Sequence, residues 1–136
     1  MKLFFILNFF FTLCYSLKIT NFRQAIRKDR ITKINNPNKK IYMIDIDGTI
    51  CTTENSDYYK SVPNYEKIKI FNKLYDEGHE INYWTARGAV SGKKWDTFTV
   101  SQLDFWNVKY SSINMGKPHY DIWIDDKAIN ILDING

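Results

Sequence analysis

Six residues of this chain combine a reactive side chain with suggestive spacing: Asp45, Asp47, Thr85, Lys117, Asp125 and Asp126. Asp45 and Asp47 stand two apart at the end of the apolar run Tyr42-Met43-Ile44, and Gly48-Thr49 follows them. Carboxylates at a buried strand end are costly unless a cation or a proton accompanies them. Four acids brought together repel one another unless a hard cation intervenes. Magnesium takes oxygen ligands and retains waters, which suits one or two carboxylates plus a substrate phosphate. A lysine and a hydroxyl would complete a cradle for phosphoryl oxygens. One carboxylate can attack phosphorus, and a second can protonate the leaving oxygen and later activate water. These residue types include each part that phosphoryl transfer needs.

Something must hold these residues together, and the chain reads as alternating strands and helices. The apolar run before Asp45 is bounded by glycine and reads as a buried strand. Alternation would send Asp45 and Asp47 to one face, but Gly48 starts a turn and lets them diverge. Residues 51–60 are polar, a loop or small flap. Pro63 suits the first turn of a helix, with Ile68, Phe71, Leu74 and Tyr75 on its buried face and Gly78 as its stop. Residues 80–85 read as the next strand, ending at Thr85-Ala86-Arg87-Gly88. Residues 93–106 read as a second helix, with Phe98, Leu103, Phe105 and Trp106 as apolar contacts. A short strand is expected at 108–111, a turn at Gly116-Lys117-Pro118, and a strand at 121–124 ending in Asp125-Asp126. Residues 127–136 have room for one more turn of helix or strand. Strand–helix alternation implies parallel strands joined by crossovers, with ligands beyond the carboxyl ends of the strands. Topology alone therefore gathers Asp45/Asp47, Thr85, Lys117 and Asp125/Asp126 on one edge.

With 136 residues the chain holds one small domain, and its 44% hydrophobic content suffices for a core. The net charge of +4 is uneven. Residues 18–40 carry eight Lys/Arg against one Asp, whereas residues 41–136 carry ten against fourteen Asp/Glu. The basic balance thus lies outside the predicted domain, and nucleic acid is not favoured as its partner. Residues 1–17 form a hydrophobic leader: Lys2, then an apolar stretch, then Ser16, as in a secretory signal. They are too few for a typical spanning helix. The expected destination is the secretory pathway or an organelle. An uncleaved membrane anchor or an extra apolar helix, with a membrane-anchored or cytoplasmic protein, is the alternative. Residues 18–40 read as a basic linker, with a second targeting element or an anionic-membrane contact as rivals. The domain is placed at 41–136, after the turn chemistry of Asn35-Asn36-Pro37-Asn38. The two cysteines, Cys14 and Cys51, have no zinc-ligand spacing.

Asp45-Ile46-Asp47-Gly48-Thr49-Ile50 resembles the DxDGT motif of the haloacid dehalogenase superfamily of phosphatases. Thr85 after an apolar strand resembles the second motif, Lys117 in Gly-Lys-Pro the third, and Ile124-Asp125-Asp126 the acidic fourth, all in order. The runs Thr85-Ala-Arg-Gly and Lys117-Pro-x-Tyr-Asp-x-x-Ile-Asp-Asp are similar to those of small cap-less capsule- or polysaccharide-biosynthesis phosphatases. The resemblance implies a minimal three-layer α/β/α, Rossmann-like parallel sheet without a cap domain. It implies Asp45 as nucleophile and Asp47 as general acid/base. Thr85, Lys117 and the backbone amides of Gly48 and Ala86 would hold the phosphoryl group. Arg87, which follows that threonine, reads by position as a substrate contact or equally as half of a surface salt bridge. Mg2+ would sit among Asp45, Asp47 (through its backbone carbonyl), Asp125 and Asp126. The implied activity is magnesium-dependent phosphomonoester hydrolysis through an aspartyl phosphate, on a sugar phosphate or related metabolite.

Rival readings use the same residues. One is a phosphotransferase or a nucleic-acid-end phosphatase; another, of a different class, is a non-catalytic binding protein. The 37 residues between Asp47 and Thr85 and the 31 between Thr85 and Lys117 leave no room for a cap. The expected site is therefore open to small or macromolecular phosphomonoesters, unless an oligomer partner or the leader covers it. His119 reads mainly as structural and secondarily as lining the site. His79 reads as solvated, and Cys51 and the four tryptophans as packing.

Overall fold

The computed structural model describes residues 36–134, together with Asn21 and Gln24 as two helical positions. The leader at 1–17 and most of the basic stretch at 18–40 lie outside the described residues. Among those described, no helix is long and apolar enough to cross a membrane. The chain divides into two units, Met1–Pro37 and Asn38–Gly136. The second carries the fold.

That unit is an α/β fold built on a three-stranded parallel sheet and two helices. Strand β1 is Ile41–Ile44. Two-residue strands β2, Cys51–Thr52, and β3, Val62–Pro63, pair antiparallel into a small flap with a 3-10 turn, Tyr58–Lys60, between them. Helix α1 spans Tyr65–Asp76, strand β4 Glu80–Trp84, helix α2 Asp96–Phe105 and strand β5 Ser112–Asn114. A last 3-10 turn covers Ile131–Asp133. The sheet order is β1-β4-β5, with Ile41 opposite Glu80, Ile44 opposite Tyr83, and Trp84 opposite Asn114.

Helix α1 begins two residues after Pro63, which lies in β3. Asn64 is the N-cap, its side chain accepting from the Lys67 amide at 3.1 Å. Ile68 and Phe71 are buried at helical spacing, with Leu74 and Tyr75 packed beside them. Strand β4 is central, and Ile81 and Tyr83 have no exposed surface. Ile44, Ile46, Ile50, Leu103, Trp106 and Val108 complete the core.

Three expectations shift. Phe105, expected as an apolar contact of the second helix, is 80% exposed, because the buried face of α2 runs through Thr99 and Leu103. The strand expected at 108–111 forms at Ser112–Asn114 instead. Val108 is buried directly after the helix and Ser111 only begins the pairing, donating its amide to the Ile81 carbonyl at 2.7 Å. No strand forms at 121–124. Ile122 and Ile124 are 79% and 94% exposed, and no strand among those described pairs with this segment.

Candidate active site

The carboxyl ends of the three parallel strands define one edge. Past β1 come Asp45 and Asp47; past β4 comes Thr85. The β4–β5 ladder continues beyond both strands: the Thr85 amide donates to the Asn114 carbonyl, and the Lys117 amide to the Thr85 carbonyl, each at 3.0 Å. This extension brings Lys117 to the edge although it stands outside any strand. Its Nζ lies 3.2 Å from Asp45 Oδ2, with the lysine side chain 10% exposed. The Tyr120 and Trp123 rings lie 5.1 and 6.0 Å from the same Nζ. Burial pulls the Lys117 pKa down, but hydrogen bonding with Tyr120 and the charge of Asp45 outweigh it and leave a net rise. Lys117 is therefore a fixed ammonium beside the Asp45 carboxylate. Asp45 Oδ1 accepts from the Ile46 amide at 2.9 Å, which orients the carboxylate at the strand tip.

Asp47 points into a different environment, as expected from the turn that Gly48 begins. Arg87 holds it in a two-pronged grip: Nε donates to Oδ2 and a terminal nitrogen to Oδ1, both at 2.8 Å. Thr53 Oγ1 donates to Oδ1 at 2.6 Å. Burial pushes the Asp47 pKa up, but hydrogen bonds from Arg87, its positive charge, and the Thr53 and Cys51 hydrogen bonds together bring it below the ordinary 3.8. The Cys51 thiol lies 3.6 Å from Asp47 Oδ1, and burial raises its pKa to about 11, so it stays protonated as packing.

Arg87, expected as a substrate contact or half of a surface salt bridge, forms its salt bridge with Asp47 with its own side chain buried. It is 3% exposed, and its remaining terminal nitrogen donates to Gln102 Oε1 at 2.8 Å and Thr99 Oγ1 at 3.3 Å. The Tyr58 ring covers its guanidinium carbon at 4.6 Å. Gln102 in turn donates to the Tyr58 carbonyl at 2.7 Å. A guanidinium so enclosed faces Asp47 and the α2 side chains. Gly48 departs from its expected role, since its amide donates to the Cys51 carbonyl at 2.8 Å and closes the turn. Thr85 is 1% exposed, and its Oγ1 accepts from the Arg87 amide at 3.1 Å. That bond uses the hydroxyl oxygen as acceptor and not its proton. Ala86 links Thr85 and Arg87 and is half-buried.

Asp125 and Asp126 are exposed on a bend, where Asp125 accepts from the Lys127 amide at 2.7 Å. Among the described residues no three His, Cys, Asp or Glu side chains gather as a metal site. The structure thus brings Asp45, Asp47, Thr85, Arg87 and Lys117 together and leaves the acidic pair outside. The reason is the missing strand at 121–124, which was to carry that pair to the sheet edge. His119 is exposed, and His79 accepts the Lys40 amide at 3.1 Å on its Nδ1.

Sequence reasoning missed Thr53, Tyr58, Thr99 and Gln102, the shell around Arg87 and Asp47. One signal was present. Thr99 and Gln102 stand three apart on a helix, a polar pair on the face that also carries Leu103, and a buried polar face needs a polar partner.

No protein-family model matches the chain, and no curated protein matches it. Among solved structures the chain is similar to a protein from Vibrio cholerae whose crystal structure was determined as a structural-genomics target. The two are 28% identical with a TM-score of 0.60, and the match covers 71% of this chain and 89% of that one.

Proposed function

We propose that this protein is a phosphomonoesterase of the haloacid dehalogenase type, working through an aspartyl phosphate at Asp45. The observation that carries the reading is the Asp45–Lys117 pair at 3.2 Å, at the carboxyl edge of a parallel sheet within an Asp-x-Asp-Gly-Thr turn. The three-layer, Rossmann-like, cap-less arrangement belongs to the same proposal. What supports its Rossmann-like part is the parallel order β1-β4-β5 with α1 and α2 in the two connections.

In this reading Asp45 Oδ attacks phosphorus while Lys117 and the Thr85 hydroxyl hold the equatorial oxygens. Lys117 offsets the repulsion between the nucleophile and an anionic substrate. Asp47 relays the proton that the substrate monoanion brings to the ester oxygen as the P–O bond breaks, and the alcohol leaves. Asp47 then takes a proton from the water that attacks the phosphorus of the aspartyl phosphate and passes it to the departing phosphate, which restores both carboxylates. The ring-rich surround of Lys117 suits a sugar phosphate or related phosphorylated metabolite. The proposed cofactor is magnesium, yet the described carboxylates do not form its ligand set, so no step is drawn through it.

The test is phosphate release from a broad panel of phosphomonoesters, with and without magnesium, by wild type and Asp45→Asn. Release by wild type and loss of turnover in a folded Asp45→Asn support the reading. Turnover retained in Asp45→Asn removes the nucleophile assignment. A wild type inert on the whole panel favours a non-catalytic binding protein.

A further inference from the structure

Asp47 has two oxygens with about four lone-pair positions between them. Arg87 Nε occupies one on Oδ2; the other Arg87 nitrogen and Thr53 occupy both on Oδ1, where the Cys51 thiol adds a longer contact at 3.6 Å. One position on Oδ2 remains, with its direction fixed by the plane of the guanidinium. That plane is set from behind by Thr99, Gln102 and the Tyr58 ring, on α2 and the flap. Arginine suits this task because its fork is rigid and planar, which a lysine ammonium is not. The guanidinium is walled in on the side away from Asp47, so its reach toward a substrate is blocked.

We propose that Arg87 is a positioning residue for Asp47, aiming the remaining position on Oδ2 at the leaving oxygen, so that formation of the aspartyl phosphate depends on it only for esters that need a proton to depart. The inference rests on the reading of Asp47 as the acid above. In the step concerned, the proton on Oδ2 passes to the ester oxygen. The P–O bond breaks with its electron pair moving to that oxygen, and the Asp45 Oδ–P bond forms. An alkyl ester leaves poorly as an alkoxide and needs that proton. A nitrophenyl ester leaves as a stable phenolate and does not.

The experiment compares wild type, Arg87→Lys and Gln102→Leu, as full-length protein, on glycerol phosphate and p-nitrophenyl phosphate. For Arg87→Lys, kcat/KM on glycerol phosphate should fall about 10²-fold, the effect of misplacing a catalytic group by about 1 Å. On p-nitrophenyl phosphate kcat/KM, which reports only the steps up to loss of the alcohol, should be nearly unchanged, as should competitive inhibition by inorganic phosphate. Gln102→Leu loosens the guanidinium without touching Asp47, and should give the same selectivity in smaller measure. Urea midpoints of both variants separate this from loss of fold. Equal losses of kcat/KM on the two esters in both variants overturn the proposal and make Arg87 a brace of the fold. So does a loss of kcat/KM on both esters with weaker phosphate inhibition, which makes it a phosphate ligand. Either result leaves the aspartyl-phosphate reading standing, since that falls only with the Asp45→Asn test.

Discussion

Replacing Gly88 with alanine should destabilise this protein far more than the same change at Gly92, although both glycines have left-handed backbone. Gly88 has φ +83° and Gly92 φ +67°, so each alanine bears the left-handed cost of about 1–2 kcal/mol. At Gly92 nothing lies within 4 Å of the added Cβ. At Gly88 the Cβ would come to 2.2 Å from the Lys93 carbonyl oxygen and 3.3 Å from Trp95 Cδ1. A backbone oxygen cannot rotate aside, so the loop must open by roughly 1 Å to reach ordinary contact at about 3.5 Å. Overpacking of that kind adds about 1–3 kcal/mol. Gly88→Ala should therefore cost about 2–5 kcal/mol in total, a large share of the ~5–15 kcal/mol that holds a domain together. Urea unfolding followed by circular dichroism measures both variants against wild type, with an unchanged m value as the check on two-state comparison. Because Gly88 adjoins Arg87, the displaced loop should also lower turnover of alkyl phosphates in the protein that remains folded. If Gly88→Ala matches Gly92→Ala within error, the close approach of the Lys93 carbonyl is not a feature of the folded protein, and the packing argument fails.

Acid should unfold the protein partly through Asp47. Its pKa in the folded protein lies below the ordinary value, so the unfolded chain binds more protons as pH falls. The stability this contributes is complete above the ordinary carboxylate range and is lost as pH drops through the folded value. Urea midpoints from about pH 6 to about pH 3, a window bracketing the usual Asp value near 3.9, should decline less steeply for Asp47→Asn than for wild type; parallel declines would refute this. The exposed stretch around residues 121–130 lacks regular structure, so brief trypsin treatment should cut after Lys127 before any site in α1. Mass spectrometry of the first fragments decides it, and an early cut after Lys67 would contradict the fold.

Local pattern made the first half of the domain readable. Ile68 and Phe71 repeat at helical spacing, Gly78 stops the helix at φ +92°, and residues 80–84 form an apolar strand, all of which short-range chemistry determines. Residues 121–124 show the opposite case. Ile122-Trp123-Ile124 reads as a strand by composition, but a strand exists only where an edge pairs with it, and pairing is a long-range fact. In the site, Asp45 and Lys117 were legible because each is tied to a strand end or a turn. The partnership of Asp47 with Arg87 was not, because it depends on where the flap and α2 meet. Arg87 next to Thr85 looked open to substrate, and only tertiary packing placed Tyr58 and Gln102 around it.

The Arg87 network ties the assembly of the site to distant parts of the chain. Asp47 and Arg87 are 40 residues apart along the chain, and Tyr58 and Gln102 are 44 apart. No hairpin or single strand–helix unit contains both members of either pair. Such contacts are closed only after long loops have been ordered, at the slow end of folding. The grip on Asp47 is therefore a late-formed structure: in refolding, secondary structure should return first and, on the proposed function, turnover last. An early intermediate with β1 and α1 in place would hold the Asp-x-Asp-Gly-Thr turn and still lack a fixed Asp47 carboxylate.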